Sequence, residues 1–193
     1  MLHVNSQGYI LNERVQRTPR PLIEHGVLNH INGIIVHQTD SRTAASSLSS
    51  YTLPGAMGAH FLIDKDGTIY QVASLYKQTW HVGKLRARCL AEHRCSQADL
   101  NALRHFSPTN EHQREMQKQV PDRYPSNEDS VGIEIVGKSD SHGIYETLTA
   151  EQTASLSWLI TELTSTFEVH MSEIFRHPVV ARKNATEAQS ASW

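Results

Sequence analysis

The chain has 193 residues, with 18 lysines and arginines against 20 aspartates and glutamates, and its formal net charge is -2. This length suits one domain with its own core, and the balanced charge excludes a broad electrostatic attraction to nucleic acid or to an anionic membrane. The N-terminal residues lack a basic start followed by a sustained apolar run, and no segment approaches the ~20 apolar residues of a membrane span. We therefore expect a single domain over residues 1–193, without a signal peptide and without nucleic acid or membrane as a partner.

The first predicted elements are a strand, a helix and a hairpin. The β-branched run INGIIVHQTD, Ile31–Asp40, predicts a buried strand that carries His37 at its carboxyl end. The small residues that follow predict a helix from about Ser41 to Tyr51. The stretch GAHFLIDKDGTIYQVA predicts two strands joined by a turn at Asp64–Gly67, because Asp-Gly is a favoured hairpin turn.

Residues 84–129 are polar, and we interpret them as an insertion in the domain. The segment is broken by prolines and shows weak helical spacing only around Gln97–Phe106, so it should contain one or two short helices. The two cysteines of the chain, Cys89 and Cys95, lie here and do not form a CxxC pair, which argues against a zinc knuckle or a thioredoxin-type motif. They could form a disulfide with a small loop or remain free thiols, and the free form is the one we expect.

The last part of the chain predicts a strand, a long helix and a short strand. After a strand at Val131–Val136, the stretch TLTAEQTASLSWLITELTSTF carries apolar residues at helical spacing and a capping box at Thr149 and Gln152. The stretch EIFRH is a short strand that leads to His177. Strands and helices interleave, so the predicted class is an α/β fold with a single mixed sheet packed by helices.

Three ionisable side chains stand at strand positions and suggest a site. His37 and His177 follow short apolar strands, where α/β folds collect functional groups, and Glu134 lies between Ile133 and Ile135. A carboxylate in an apolar strand costs several kcal/mol unless it is paired, so Glu134 needs a partner or a task. Two histidines and a carboxylate are a common start for a catalytic zinc site with an open position for water.

Five motifs, in this order, resemble those of the zinc-dependent N-acetylmuramoyl-L-alanine amidases. They are VHQTD at 36–40, GAHFLIDKDGTIYQV at 58–72, TWHVG at 79–83, SVGIEIVG at 130–137 and RHPVVARKNATEA at 176–188. The family shares its fold with phage lysozyme-type amidases and peptidoglycan recognition proteins. The resemblance implies this fold, a bound Zn²⁺ ion, and peptidoglycan or a muropeptide as the partner.

The resemblance also implies roles for individual residues. His37 and His177 would be zinc ligands, and Glu134 would be the general base that takes a proton from the attacking water. The alternative for Glu134 is a structural salt bridge to an arginine under the sheet. Lys183 would stabilise the oxyanion, with Arg182 as the alternative for that role.

Three residues of the second and third motifs complete the expected cleft. His81 would line it and donate a hydrogen bond to the substrate. Trp80 would pack in the core, and His60 would be a structural histidine or one that supports a metal ligand from behind, without binding the metal itself. These roles are carried over from the family by position in the motifs AHFLI and TWHVG.

The third zinc ligand departs from the family pattern. Family members carry Asp or Cys, generally two residues past a lysine, but the residue two past Lys183 is Ala185, which cannot bind a metal. The nearest carboxylate is Glu187, and we predict that it is the third ligand, with a small backbone insertion around Asn184 and Ala185. In the alternative, the stretch TEA only begins a terminal helix.

The expected activity is hydrolysis of the amide bond between N-acetylmuramic acid and L-alanine. The alternative is a module that binds the stem peptide without cutting it, which would fit the loss of a zinc ligand; a zinc-free scaffold or immunity-type protein has little support. An insertion beside the cleft would suit polymeric peptidoglycan. We therefore expect an antibacterial effector or lysin that reaches the periplasm or cell wall without a signal and has an inhibitor protein, with cytoplasmic muropeptide recycling as the alternative.

Overall fold

The computed structural model describes residues 1–105 and 107–193. The strands are β1 (Val15–Arg17), β2 (Glu24–Val27), β3 (Gly33–Gln38), β4 (Phe61–Ile63), β5 (Ile69–Gln71), β6 (Lys77–Thr79), β7 (Ser130–Ile135) and β8 (Ile174–Arg176). The α-helices are α1 (Ala44–Ser50), α2 (Arg88–Ala91), α3 (Gln97–Leu103), α4 (Pro108–Glu115), α5 (Ala150–Phe167) and α6 (His177–Val180), and short 3-10 turns precede β2 and β8. No helix within the described residues is long and apolar enough to cross a bilayer.

The main sheet has six strands in the order β1-β5-β4-β7-β3-β8. Strand β3 is parallel to both β7 and β8, and β7 is parallel to β4, whereas β4 and β5 form an antiparallel hairpin. The sheet is therefore mixed, as predicted. Because β3, β4, β7 and β8 run in one direction, their carboxyl ends meet at one edge, where α/β sheets collect their sites.

Helix α5 covers one face of this sheet. Its buried side chains repeat at three and four along the helix: Leu156, Leu159, Ile160 and Leu163. They pack against alternate residues of the central strands, including Ile34, Val36, Ile133 and Ile135. Each such side chain contributes about 1.5–3 kcal/mol by leaving water, so this contact is the main core of the domain. The predicted capping box is present, with Thr149 accepting from the main chain of Gln152.

The alternation along the strands explains how Glu134 can lie in an apolar strand. Ile133 and Ile135 face α5, so Glu134 must point to the opposite face of the sheet. In the register of β3 and β7, Glu134 is the partner of His37. The carboxylate and the imidazole therefore lie on the same face, next to each other, at the carboxyl edge.

Several predicted elements are confirmed with shifted ends, and others were missed. The strands around His37, Glu134 and His177, the helix after β3 and the β4–β5 hairpin are all present. Strands β1, β2 and β6 were not predicted, because each has only three or four residues and no clear alternation. Strands β2 and β6 form a separate antiparallel pair.

Residues 84–129 contain three short helices, α2, α3 and α4, where one or two were predicted, and a buried ion pair ties this segment to the turn before β8. Arg88 donates two hydrogen bonds to Glu173, 2.7 and 3.0 Å long, and both side chains are more than nine-tenths buried. Helix α3 matches most of the helical spacing predicted up to Phe106, although Phe106 itself lies outside the described residues.

The prediction of free thiols is wrong, because Cys89 and Cys95 form a disulfide. After α2, the chain turns back through His93, which adopts a left-handed conformation with φ of 54°. This turn brings the Cα atoms of the two cysteines to 4.6 Å, within the range that a disulfide spans. A spacing of six residues gives no sign of this turn, which depends on the local backbone.

Candidate active site and metal centre

Three predicted metal ligands come together at the carboxyl edge of the sheet. His37 is on β3, His177 follows β8 directly, and Glu187 lies on the irregular segment after α6. One potential ligand atom from each residue lies within 4.8 Å of the other two. The Nδ1 atom of His177 is 2.9 Å from Oε1 of Glu187, and the Nδ1 atom of His37 is 3.5 Å from the same oxygen. All three side chains are buried.

The other nitrogen of each histidine ring has a partner behind the site. Nε2 of His177 donates to the carbonyl oxygen of Val82 over 2.9 Å, and Nε2 of His37 is 2.9 Å from Nδ1 of His81. Metal-binding histidines in proteins usually have such a partner on the nitrogen that faces away from the metal. The two Nδ1 atoms and the carboxylate oxygen are left facing one point, a donor set that suits zinc.

The protonation states also suit a metal. Burial lowers the pKa of His37 to about 4, so its ring is neutral at pH 7. Burial acts to raise the pKa of Glu187, but the neighbouring rings of His177 and His37 outweigh it and the pKa falls to about 2. Neutral imidazole and ionised carboxylate are the forms that bind a cation.

The turn that carries Glu187 is held by side chains around it. Asn184 donates from Nδ2 to the carbonyl oxygen of Gly143 over 2.6 Å, and the hydroxyl of Thr186 donates to the same oxygen over 2.7 Å. On the other side, the main-chain nitrogen of Ala188 donates to Oε1 of Gln38 over 3.2 Å. The alternative prediction of a terminal helix at this point is wrong, since residues 185–190 form turns.

Tyr51 is the partner of Glu134, and sequence reasoning missed it. The Tyr51 hydroxyl donates to Oε2 of Glu134 over 2.6 Å. The alternative of a salt bridge with arginine is wrong, because no ion pair joins Glu134 to an arginine in the described residues. Burial raises the pKa of Glu134, and the hydrogen bond from Tyr51 acts in the opposite direction. Gly58 makes room for this ring, since a Cβ atom there would lie 2.8 Å from Cε1 of Tyr51.

A cleft of about 560 Å³ opens onto these groups, and Lys183 and Glu134 both line it. Lys183 is exposed to this cleft, whereas Arg182 forms an ion pair with Glu111 of α4. Of residues 84–129, only Asn127 is among the described residues that line the cleft. The described parts of these helices therefore do not line the cleft, so the segment gives no support for a polymeric substrate over a small one.

His81 of the TWHVG motif lines the cleft as expected, but two other expectations for this motif differ from the structure. Trp80 is not in the core: its side chain is 51% exposed at the cleft and stacks on His25, with ring centroids 3.7 Å apart. His81 has no ring nitrogen left for a substrate, since Nδ1 contacts His37 and Nε2 lies 3.3 Å from the Ser130 hydroxyl. A single motif does not show which of two neighbouring side chains turns outward.

His60 is fully buried and lies outside the metal cluster. Its Nε2 donates to the carbonyl oxygen of Lys77 over 2.8 Å, and its Nδ1 accepts from the main chain of Gly132 over 3.1 Å. The ring thus links β6, through Nε2, to β7, through Nδ1. This geometry is that of a structural histidine.

Comparison with solved structures shows the same fold in AmpD, XlyA and AmpDh3. A selenomethionine derivative of AmpD has a TM-score of 0.60 at 18% identity, over 99% of this chain and 96% of that chain. The catalytic domain of XlyA has a TM-score of 0.55 at 21% identity, over 88% of this chain and 87% of that chain. AmpDh3 from Pseudomonas aeruginosa, in complex with anhydromuramic pentapeptide, has a TM-score of 0.55 at 18% identity, over 96% of this chain and 61% of that chain.

Sequence comparison gives the family. No curated protein sequence matches the chain. The family described as N-acetylmuramoyl-L-alanine amidase matches residues 28–189, which include β3, β7, β8 and every predicted site residue. The chain therefore belongs to the N-acetylmuramoyl-L-alanine amidase family.

Proposed function

We propose that the chain is a zinc-dependent hydrolase that cuts the amide bond between the lactyl group of N-acetylmuramic acid and L-alanine. The observation that carries the proposal is the convergence of Nδ1 of His37, Nδ1 of His177 and Oε1 of Glu187 beside Glu134. Family membership supports the reaction. The complex of AmpDh3 with anhydromuramic pentapeptide supports the class of substrate.

The predicted ligands, Glu134 and Tyr51 each have a task in this reaction. Zinc held by His37, His177 and Glu187 would acidify a water molecule and polarise the scissile carbonyl. Glu134 takes a proton from the water as its oxygen attacks the carbonyl carbon, and it gives a proton to the alanine nitrogen as the C–N bond breaks. Tyr51 keeps the carboxylate of Glu134 oriented through its hydrogen bond.

Lys183 supplies positive charge for the oxygen of the tetrahedral intermediate. It lines the cleft together with Glu134 and His177, and it makes no hydrogen bond or salt bridge with any described residue. Its ammonium group can therefore turn to a bound substrate. A charge of this kind in a site that excludes water is worth a few kcal/mol of barrier.

The same geometry argues against a module that only binds. The binding alternative depended on the missing third ligand at Ala185, but the carboxylate of Glu187 lies beside both histidines. A protein that only holds a stem peptide needs neither a complete ligand set nor a base next to it. These observations support a hydrolase.

We also propose that the enzyme acts on the cell wall outside the cytoplasm, as an antibacterial effector or lysin. The Cys89–Cys95 disulfide supports this location, because disulfides persist in oxidising compartments and are rare in the cytosol. An effector of this kind would have an inhibitor protein in the cell that makes it. Cytoplasmic recycling of muropeptides would instead require the chain to work with both thiols reduced.

The test combines metal analysis with product analysis. The purified protein should contain about one zinc ion per chain, and it should release peptides that begin with free L-alanine from sacculi and from soluble muropeptides, as read by mass spectrometry. Chelation should abolish the release, and added zinc should restore it. Activity in a preparation without zinc would contradict the metal centre, and a zinc-loaded protein that binds muropeptide without cutting it would favour the binding module.

A further inference from the structure

The histidine pair His37 and His81 raises the question of which ring carries the shared proton. A neutral imidazole has one nitrogen that donates and one that accepts, and only the accepting nitrogen can bind a metal. For His177 the answer is fixed, since a carbonyl oxygen only accepts and Nε2 must donate to Val82. For His37 the partner is Nδ1 of another imidazole, which could take either role.

Ser130 determines which ring nitrogen of His81 carries the proton. The Ser130 hydroxyl lies 2.5 Å from the carbonyl oxygen of Ser126 and 3.3 Å from Nε2 of His81. Because the carbonyl can only accept, the hydroxyl proton points to Ser126. The lone pairs of the hydroxyl then face His81, so Nε2 of His81 carries the proton of that ring. Ser126, Ser130 and His81 are all buried.

The tautomer of His81 in turn determines the tautomer of His37. With its proton on Nε2, His81 presents a lone pair on Nδ1, and Nε2 of His37 must donate to it over 2.9 Å. Nδ1 of His37 is then an acceptor, and this is the atom that faces Glu187 at 3.5 Å. We propose that Ser130 and His81 form a hydrogen-bond chain that fixes the tautomer of His37 and thereby prepares it to bind zinc. This inference rests on the proposed function.

The surroundings hold His81 in place for this role. Oδ1 of Asn127 accepts from the main-chain nitrogens of His81 and Val82 over 3.0 and 2.8 Å. These two consecutive residues supply the outer partner of both metal-facing histidines. Gly132 allows the ring to approach β7, since a Cβ atom there would lie 2.7 Å from Nδ1 of His81. Ser130 and His81 are thus positioning residues, which act on the metal through His37.

The first test is zinc affinity in Ser130→Ala, measured by competition with a chromogenic chelator. This change keeps every atom that faces the metal, but it allows both tautomers of the His81 ring. Zinc affinity should therefore fall by about 10- to 100-fold, the usual effect of removing a hydrogen-bond partner of a metal ligand. The matched control is Ser155→Ala. Ser155 is also buried and donates to a main-chain carbonyl, that of Gly67 over 2.6 Å, but it belongs to helix α5 and is outside the cleft. Its loss should leave zinc affinity unchanged.

The second test reads the tautomers directly by ¹⁵N NMR of the imidazole rings. His81 and His37 should each carry the proton on Nε2. The variant His81→Asn keeps an accepting oxygen near the position of Nδ1 and should retain more zinc affinity than His81→Phe, which has no acceptor.

Two results would overturn this inference without affecting the proposed function. One is equal zinc affinity in Ser130→Ala and in a wild type that binds zinc, and the other is a proton on Nδ1 of His81. A wild type that binds no zinc would overturn the inference together with the proposed function.

Discussion

Replacing Tyr51 with phenylalanine should change the pH dependence of the reaction and leave its maximum rate at high pH intact. The Tyr51 hydroxyl donates to Glu134 over 2.6 Å and favours the ionised carboxylate, against the burial that raises the pKa of Glu134. A hydrogen bond to a charged group contributes about 1.5–3 kcal/mol. At about 1.4 kcal/mol per pKa unit, its loss should raise the pKa of Glu134 by one to two units.

The sign of the effect on activity follows from the role of the base. Glu134 must be ionised to accept a proton, so a higher pKa leaves it protonated over a wider acidic range. The acid limb of kcat/KM should therefore move to higher pH by one to two units in Tyr51→Phe, while the plateau above it stays close to that of the wild type. The assay is muropeptide hydrolysis followed across the pH range, with zinc content measured on the same samples.

The chain offers a matched control in Tyr9. This tyrosine is also buried and its hydroxyl donates to a carboxylate, Oε1 of Glu24 over 3.2 Å, but Glu24 is outside the cleft. Tyr9→Phe should leave the acid limb where it is. An acid limb of kcat/KM that does not move in Tyr51→Phe would refute the reasoning. An equal shift in Tyr9→Phe, or a lower rate of Tyr51→Phe at every pH, would refute it as well.

Other variants test the remaining assignments. Glu134→Gln should keep its zinc but lose turnover by roughly 10²-fold or more, the size of a general-base contribution, and full activity would return Glu134 to a structural role. Glu187→Ala should lose both zinc and cleavage. Glu187→Asp should fall between this variant and the wild type, because its side chain is shorter by one methylene group. An active, zinc-loaded Glu187→Ala protein would show that the third ligand is another residue. Lys183→Ala should lower kcat by roughly 10²-fold with zinc content unchanged, and an unaffected kcat would exclude it as the oxyanion partner. Asp129→Ala should lower the free energy of unfolding by about 3 kcal/mol or more in denaturant titrations, because it leaves the buried Arg123 guanidinium unpaired; a change below 1 kcal/mol would show that the pair contributes little.

The elements that carry the site could be predicted from sequence because they are buried strands with strong patterns. The apolar runs before His37, around Glu134 and before His177 each gave a strand in the right place. The amphipathic spacing of α5 and its capping box also appear as predicted. Short strands such as β1 and β6 could not be found, since their pairing comes from neighbours distant in the chain.

The contacts within the site were harder to predict, because they join residues far apart in sequence. Tyr51 and Glu134 are 83 positions apart, and the only hint was a tyrosine at the end of the helix after the first histidine strand. Glu187 was predicted from its chemistry as the nearest carboxylate, and the structure places it beside both histidines; its role as a ligand stays a prediction. Trp80 was wrongly assigned to the core, and His81 lines the cleft as expected but has both ring nitrogens next to protein groups, which the motif alone does not show.

The three residues of the proposed metal centre are supported by different kinds of structure. The histidines are fixed by strands of the main sheet, but Glu187 belongs to the C-terminal arm, residues 184–193, which contains no helix or strand. The arm is held by side-chain hydrogen bonds, by Ala188 and Ala191, which are buried in the main core, and by Trp193, whose ring centre lies 5.2 Å from the Arg176 guanidinium. A segment without strand pairing opens locally more easily than the strands of a sheet.

A bound ion would stabilise the closed position of this arm, since local opening would then require the bond between the metal and the Glu187 oxygen to break. Zinc should therefore slow hydrogen exchange and protease cleavage in residues 184–193 far more than in the strands that carry the histidines.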